Sequence, residues 1–450
     1  MRQAVILAGG QGTRLRSVLG DRPKALIPIG GRPLIEHLLE LCRRHGVTDV
    51  LLLLGYQAGM VADHVGDGRR WGLRIRSIVE DEPRGTAGAV LAAWPELAER
   101  FLVLYGDELA NLDLTHLWDA HVHAGAQATL VLHPNDHPLD SDLVEVDEAG
   151  GITAFHHRPH PAGVWFPNLV NAALYVVERD ALEPWRNQEG LLDFGNHVFP
   201  AMLARGQRLL GYRSFEYLKD IGTPDRYERV GREYAAGVVA ASTLERPQRA
   251  VFIDRDGTLN REVDGVCTPE QLALLPGAGE AVRALNAHGW RAVVITNQPG
   301  VAKGFFSEAD LQRIHNKLEC DLGKAHAFVD RIYHCPHHPE RGFPGERAEL
   351  KVPCRCRKPE PGLIERAARE LHLDLRHCWF VGDTTTDLET ARRAGVRSIL
   401  VRTGYGGADR KYAATPDRVC DDLPAAVRFV LDQAGAPLNH GPDPGPAAAQ

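Results

Sequence analysis

Val251-Phe252-Ile253-Asp254-Arg255-Asp256-Gly257-Thr258-Leu259 begins as an apolar run of strand length and ends in two acids and a glycine. A short apolar run closed by a turn signal predicts a buried strand. An Asp-x-Asp pair alone is more often an acidic turn than a site, so its surroundings decide its meaning. Downstream, 276–288 has helical spacing and 291–295 reads as a strand, with further strands over 379–381 and 398–401. Upstream the same alternation runs independently, with strands over 3–7, 50–54 and 101–105 and helices over 34–45 and 87–98. Strands alternating with helices predict an α/β fold with mainly parallel sheets. The small residues and Pro247 within Ala235–Gln248 mark a boundary. The expected organisation is a domain over 1–240, a second over 248–433, and a disordered Pro/Gly/Ala-rich tail over 434–450.

The chain has 450 residues, enough for two or three domains. Its 44% hydrophobic and 25% charged content is that of a globular protein, not a disordered or fibrous one. A formal net charge of -7 gives no broad basic surface for nucleic acid or anionic membrane. No segment is apolar for long enough to span a bilayer, and the N-terminus lacks the features of a signal peptide, so a cytoplasmic location is expected. Oligomeric state is left open.

Strand 3–7 leads into Leu7-Ala8-Gly9-Gly10-Gln11-Gly12-Thr13-Arg14-Leu15. Gly9, Gly10 and Gly12 let the backbone approach phosphate oxygens, with Thr13 beside them. Arg14, and Lys24 within Arg22-Pro23-Lys24, supply charge for a triphosphate and a leaving pyrophosphate. A lone glycine loop would be an ordinary strand-to-helix turn; the Arg-Pro-Lys that follows argues against accident. Here the sequence resembles the sugar-phosphate nucleotidyltransferases, over about the first half of the chain. The resemblance implies a Rossmann-like domain with a mixed sheet. It places Gly85, Thr86 and Gly88, within Glu82-Pro83-Arg84-Gly85-Thr86-Ala87-Gly88-Ala89, at the base and sugar. It makes Asp107 of Gly106-Asp107 and Asp220 of Lys219-Asp220-Ile221-Gly222-Thr223-Pro224 the magnesium aspartates. The chemistry agrees, since two anions cannot meet in line until cations cover their charge. Two departures bear on the sugar. Arg158, in Phe155-His156-His157-Arg158-Pro159, stands where the family has a phosphate-binding lysine, and Asn171-Ala172-Ala173 replaces Asn-Ala-Gly, leaving Asn171 to bond a sugar hydroxyl.

The strand ending in Asp254-Arg255-Asp256-Gly257-Thr258 resembles motif one of the haloacid dehalogenase superfamily, and the likeness extends to about Leu431. It implies a Rossmann-like C-terminal domain in which Asp254 attacks phosphorus and Asp256 serves as acid and then base. Thr296 of Ile295-Thr296-Asn297-Gln298 would donate to the phosphoryl group. Lys358 of Arg357-Lys358-Pro359 would neutralise phosphate and nucleophile. Asp383 of Phe380-Val381-Gly382-Asp383 would hold magnesium with Asp254 and Asp256, and Asp387 is the second acid of that motif. Asn260, Arg261, Asn297, Gln298, Arg357 and Lys358 are the implied substrate contacts.

Three of the eight cysteines, Cys335, Cys354 and Cys356, cluster in sequence with His337. In a reducing compartment such a set suggests metal rather than disulfide. Cys335-Pro336-His337-His338 and Cys354-Arg355-Cys356 resemble the zinc loop of the heptose bisphosphate and histidinol phosphate phosphatases. Three thiolates and an imidazole would form a closed, structural Zn2+ site with no open position for chemistry. Thr384 departs from the lysine frequent after the aspartate in the heptose enzymes.

Two such domains on one chain suggest consecutive reactions on one sugar phosphate. The 7-phosphate of D-glycero-D-manno-heptose 1,7-bisphosphate would be removed, and the heptose 1-phosphate would receive a nucleotidyl group from GTP. Alternatives are an ATP-dependent adenylyltransferase, or a histidinol-phosphate-type phosphatase joined to a transferase for mannose or glucose 1-phosphate. A non-catalytic sugar-nucleotide sensor is disfavoured, because Arg14, Lys24, Asp107 and Asp220 are all present.

Overall fold

The computed structural model describes residues 2–15 and 20–435. The chain divides into two compact units, Met1–Gln248 with His315–Lys324, and a second beginning at Arg249. The division after Gln248 falls at the end of the small-residue stretch where the sequence predicts a boundary. His315–Lys324, expected in the second domain, is grouped with the first. Of the predicted tail, 436–450 lies outside the described residues, and the last helix, Leu423–Gly435, extends to its start.

In the first unit the strands are β1 (Arg2–Ala8), β2 (Val47–Leu54), β3 (Arg74–Val79), β4 (Arg100–Tyr105) and β5 (Glu108–Asn111). They continue with β6 (Ala128–His133), β7 (Leu143–Val146), β8 (Ile152–His156), β9 (Val170–Glu178), β10 (Leu209–Arg213) and β11 (Tyr217–Asp220). The main sheet runs β8-β7-β9-β4-β1-β2-β3, and β6 joins β9 to β10. β1 lies parallel to β2 and β4, whereas β9 is antiparallel to β4, β6 and β7, so the sheet is mixed. Along β1, Ala4, Ile6 and Ala8 enter one core layer and Val5 the other. Both faces are covered, so the strand is continuously apolar from Ala4 to Ala8 rather than alternating with polar residues. β5 and β11 form a separate antiparallel ribbon that sets Asp220 opposite Glu108.

The helix predicted over 87–98 runs Gly85–Ala92 and gives way to a tight turn, Trp94–Glu96. Pro95 explains the early stop, since it donates no backbone hydrogen bond and disfavours helical geometry at Trp94.

The second unit holds β12 (Ala250–Ile253), β13 (Arg291–Asn297), β14 (Arg331–Cys335), β15 (Trp379–Gly382), β16 (Arg397–Val401) and β17 (Arg418–Cys420). Their order is β14-β13-β12-β15-β16-β17, all parallel. β12 is central and all four of its residues are fully buried. The helix predicted over 276–288 is Ala278–Ala287, begun by Gly277 in the left-handed conformation.

The two sheets share a feature that locates chemistry. The chain leaves β1 toward β2 and later returns to β1's other side as β4; it does the same around β12 with β13 and β15. Such a reversal opens a crevice at the carboxyl ends of the central strands, where open α/β sheets bind ligands.

Candidate active sites

In the first unit the crevice is a cavity of about 440 Å³. The loop after β1 forms one wall with Gly9, Gly10, Gly12, Thr13 and Arg14. Lys24, Gly85, Thr86 and Asp107 complete the set that the sequence brings together. Close approach accounts for Gly9 and Gly106, whereas a Cβ on Gly10 would meet nothing within 4 Å. A Cβ on Gly9 would lie 2.9 Å from Glu80 Oε2, and one on Gly106 would lie 2.9 Å from the Ala8 Cβ. Gly12 has φ 60°, a conformation in which glycine is unstrained. Gly88, predicted at the nucleotide, is buried one turn deeper in its helix, outside the lining.

Lys24 and Asp107 form an ion pair in the cavity. The Asp107 carbonyl accepts from the Ile221 backbone N–H at 2.8 Å, tying the end of β4 to the end of β11. Asp220 follows there, and both its oxygens accept from Arg226 Nη1, at 2.7 and 2.6 Å. Glu108 lies buried between these acids. Burial first, then the charges of Asp107 and Asp220, raise its carboxyl well above the ordinary range. Each predicted aspartate is thus paired with a cation, Asp107 with Lys24 and Asp220 with Arg226, and Asp220 is not among the residues that line the cavity.

Arg158 and Asn171 are not among the lining residues. Arg158 is exposed, and its guanidinium donates to the Asp140 carbonyl at 2.8 Å. Asn171 Oδ1 accepts from the Ala173 N–H within its own strand. Three lining residues were not expected: Glu80, Tyr105 and Asp193. Asp193 Oδ1 accepts from Thr86 N at 3.1 Å and Thr86 Oγ1 at 3.2 Å, fixing the first turn of the Gly85–Ala92 helix. Glu80 Oε1 is buried without a hydrogen-bond partner, and burial raises its carboxyl. Tyr105 directly precedes Gly106-Asp107 and Glu80 lies just before the Glu82–Ala89 segment, whereas Asp193 comes from a segment with no motif of its own.

In the second unit the cavity is about 1100 Å³, lined by Asp254, Asp256, Thr296, Asn297, Gln298, Arg357, Lys358 and Asp383 among others. Asp254 and Asp383 directly follow β12 and β15, and Thr296 is the penultimate residue of β13. Lys358 Nζ donates to Asp254 Oδ1 at 2.6 Å and to Asp387 Oδ1 at 2.7 Å. The lysine is buried, which disfavours its charge, but the two carboxylates reverse the balance and raise its pKa. Burial also raises Asp254. The charges of Asp387 and Asp383 add to that rise against the pull of Lys358.

Asp254, Asp383 and Asp387 place carboxylate oxygens within 4.8 Å of one another. Asp383 Oδ1 is buried without a hydrogen-bond partner. An orphaned carboxylate oxygen beside two further acids fits a hard divalent cation. Asp387, the second acid of its motif, stands in this cluster with Asp254 and Asp383, whereas the Asp256 side chain does not. Asp256 is instead enclosed by donors, because Asn260 Nδ2 reaches Oδ1 at 3.0 Å and Gln298 Nε2 reaches Oδ2 at 2.9 Å. Burial disfavours its charge, yet Arg255, Asn260 and Gln298 together hold its pKa below the ordinary value.

Two predicted substrate contacts, Asn260 and Gln298, thus hydrogen-bond the acid. Gln298 Nε2 also reaches Thr296 Oγ1 at 2.8 Å. Asn297, expected at the substrate, exchanges two hydrogen bonds with the backbone of Lys358. Asn260 and Arg261 lie outside the lining, and the Arg261 carbonyl accepts from Asn260 Nδ2 at 2.9 Å.

Cys335, His337, Cys354 and Cys356 come together as the sequence predicts. The Sγ–Sγ distances are 3.5 Å (Cys335–Cys354), 3.2 Å (Cys335–Cys356) and 3.2 Å (Cys354–Cys356), and His337 Nδ1 is 3.2 Å from Cys356 Sγ. Zinc–sulfur bonds of about 2.3 Å in a tetrahedron would set sulfurs roughly 3.8 Å apart, so this donor set fits zinc after a small expansion. Hydrogen bonding from Cys335, joined by Cys354 and His337, pulls the Cys356 thiol down to about 5 against the effect of burial. Arg357 follows directly, and its Nη1 donates to the His337 carbonyl at 3.2 Å. His338 lies apart, with Nδ1 against the Glu340 carbonyl.

Comparison with known proteins divides along the same line. Residues 3–237 match the nucleotidyl transferase family model, and 355–426 match the HAD-hydrolase-like model. The D-glycero-D-manno-heptose-1,7-bisphosphate 7-phosphatase of Thermosynechococcus vestitus is 39% identical over 191 residues, covering 41% of this chain and 96% of that protein. The mannose-1-phosphate guanylyltransferase of Mycobacterium tuberculosis is 32% identical over 257 residues, covering 56% of this chain and 70% of that protein. Among solved structures, the Bordetella bronchiseptica D,D-heptose 1,7-bisphosphate phosphatase complexed with magnesium and phosphate is 35% identical. It covers 41% of this chain and 99% of that one, with a TM-score of 0.37. No helix among the described residues is long and apolar enough to cross a membrane.

Proposed function

Because the chain belongs to the nucleotidyl transferase family in its first half and to the D-glycero-D-manno-heptose-1,7-bisphosphate 7-phosphatase family in its second, we propose that it carries out two successive steps on one heptose. The chain is an enzyme of both classes. In our reading the second unit removes the 7-phosphate of D-glycero-D-manno-heptose 1,7-bisphosphate. The first unit then transfers a guanylyl group from GTP to the remaining heptose 1-phosphate. One observation carries this reading: a 39%-identical heptose bisphosphatase relative is matched over 96% of its length on the same chain as a nucleotidyl transferase domain. The guanylyltransferase relative supports GTP as the donor.

At the second site, an Asp254 oxygen bonds to phosphorus as the bond from phosphorus to the sugar oxygen breaks. That oxygen takes a proton from Asp256, which enters this step protonated and leaves it as the carboxylate acceptor of the next. Water then attacks the aspartyl-phosphate and gives its proton to Asp256, while Asp254 leaves as a carboxylate and phosphate is released. Lys358 neutralises the nucleophile beside the incoming phosphate, and Thr296 donates to a phosphoryl oxygen. At the first site, the glycine loop holds the triphosphate through backbone N–H groups, and Arg14 and Lys24 balance its charge. Magnesium would be held by Asp254, Asp383 and Asp387 in one unit and by Asp107 and Asp220 in the other, and would supply positive charge against phosphate repulsion. Zinc on Cys335, His337, Cys354 and Cys356 would be structural and would keep Arg357 and Lys358 at the cavity.

The test is mass spectrometry of products from the heptose bisphosphate, magnesium and each nucleoside triphosphate in turn. GDP-heptose formed with GTP is expected. Phosphate release without any nucleotide-sugar would remove the paired pathway, and a product with ATP alone would replace the donor.

A further inference from the structure

Arg255, between the nucleophile and the acid, has no solvent exposure and is among the largest fully buried side chains of the described residues. It turns back onto its neighbour. Nε lies 3.2 and 3.1 Å from the two Asp256 oxygens, and Nη2 lies 3.0 and 2.8 Å from them. Its Nη1 is buried without a hydrogen-bond partner. A buried guanidinium with a donor left over costs stability, and buried ion pairs are weak stabilisers at best. A local rule broken at a site, with no structural return, points to function. With Asn260 and Gln298, the Arg255 fork leaves each Asp256 oxygen facing several donors. A carboxylate so surrounded is held as an acceptor, in one orientation, toward the cavity that Asp254 enters.

We propose that Arg255 is a positioning residue for the second half of the phosphatase reaction, holding Asp256 where it takes the proton of the water that attacks the aspartyl-phosphate. The inference rests on the two-step reading above. It predicts that loss of Arg255 slows breakdown of the aspartyl-phosphate more than its formation.

The experiment uses the full chain, magnesium and p-nitrophenyl phosphate, whose leaving group departs as nitrophenolate without needing a proton. In the first step the Asp254 oxygen bonds to phosphorus and nitrophenolate leaves with the bonding pair. In the second, water oxygen bonds to phosphorus, its proton passes to Asp256, and the Asp254 carboxylate and inorganic phosphate are released. Arg255→Met should show a burst of nitrophenolate and then a turnover about 100-fold slower than wild type, as expected for a displaced catalytic group. Intact-protein mass after acid quench should show most chains carrying one phosphoryl group. Arg255→Lys, which keeps a cation but not the fork, should show a smaller accumulation. Turnover of Arg255→Met within about threefold of wild type, or slowed turnover without phosphorylated chain, overturns the proposal. If Arg255→Met gives no folded second unit, Arg255→Lys decides by the same readouts, and unphosphorylated chain there overturns it. Wild-type chain that turns over without any quenched phosphoprotein, matched by active Asp254→Asn, would instead sink the two-step reading itself.

Discussion

Asn297 and Lys358 are joined by a pair of hydrogen bonds, Asn297 Nδ2 to the Lys358 carbonyl at 3.1 Å and the Lys358 N–H to Asn297 Oδ1 at 3.0 Å. One amide thus binds both backbone polar groups of the residue whose side chain reaches the nucleophile. The end of β13 thereby fixes the loop that carries the cation. Asn297→Ala should lower phosphatase turnover by about 10- to 100-fold through displacement of Lys358. The loss of stability should be only about 1–3 kcal/mol. Steady-state phosphate release and thermal melts check both parts; unchanged turnover would mean the lysine is held by its carboxylates alone.

The two chemistries should separate cleanly. Each cavity is lined by residues of one unit. Asp254→Asn should reduce phosphate release by at least about 1,000-fold, with nucleotidyl transfer to heptose 1-phosphate unaffected. Asp107→Asn should do the converse. Loss of both activities from either change in a folded protein would contradict two independent sites.

Metal analysis of protein purified without chelator should find about one zinc per chain. Cys356→Ser should lose it. The phosphatase should then lose activity because Arg357 and Lys358 directly follow Cys356 on the same loop, while nucleotidyl transfer persists. Full phosphatase activity in a zinc-free variant would remove the positioning role.

Glu216 is buried, and burial raises its carboxyl from 4.5 to about 7, against hydrogen bonds from the Leu244 and Asp113 N–H groups. A folded-state pKa above the unfolded value means that the fold prefers the protonated acid. Its contribution is full below the unfolded pKa, falls as pH rises toward the folded one, and is flat above it. The component is at most about 3 kcal/mol. Glu216→Gln keeps an acceptor for both N–H groups, so it should raise the melting temperature of the first unit at pH 8 and leave it nearly unchanged at pH 4.5. Parallel melting profiles for the two proteins across this range would show that Glu216 is ionised in the fold.

What the sequence revealed was what lies in short contiguous segments. Asp254, Thr296 and Asp383 each sit at the end of an apolar strand, and parallel strands deliver such residues to one edge by topology alone. The glycine loop and the cysteine cluster were legible for the same reason. The helix over 87–98 was overextended because apolar spacing outweighed Pro95. The roles of Asn260, Asn297 and Gln298 were not legible. An amide beside a motif serves substrate, acid or backbone equally well until its partners are placed. Asp193 reaches the first unit's cavity only through the folding of a distant segment, Glu80 and Tyr105 adjoin predicted segments without a chemical signature of their own, and Arg158 donates locally to the Asp140 carbonyl.

Asp383 has glycine on two sides. A Cβ on Gly257 would stand 2.3 Å from its Oδ2, and one on Gly404 would stand 2.1 Å away. The same oxygen accepts the Tyr405 N–H at 2.7 Å. Only Oδ1 remains for a cation. Asp254 and Asp387 each give one oxygen to Lys358, and the other oxygen of Asp387 accepts from Thr384 N and Oγ1 at 3.1 and 2.6 Å. A site built from single oxygens cannot grip an ion bidentately, which is how calcium reaches its high coordination numbers, whereas magnesium completes its shell with water and phosphate. Ion selectivity here follows from backbone already crowded around the carboxylates, and calcium should occupy the phosphatase poorly and without supporting turnover.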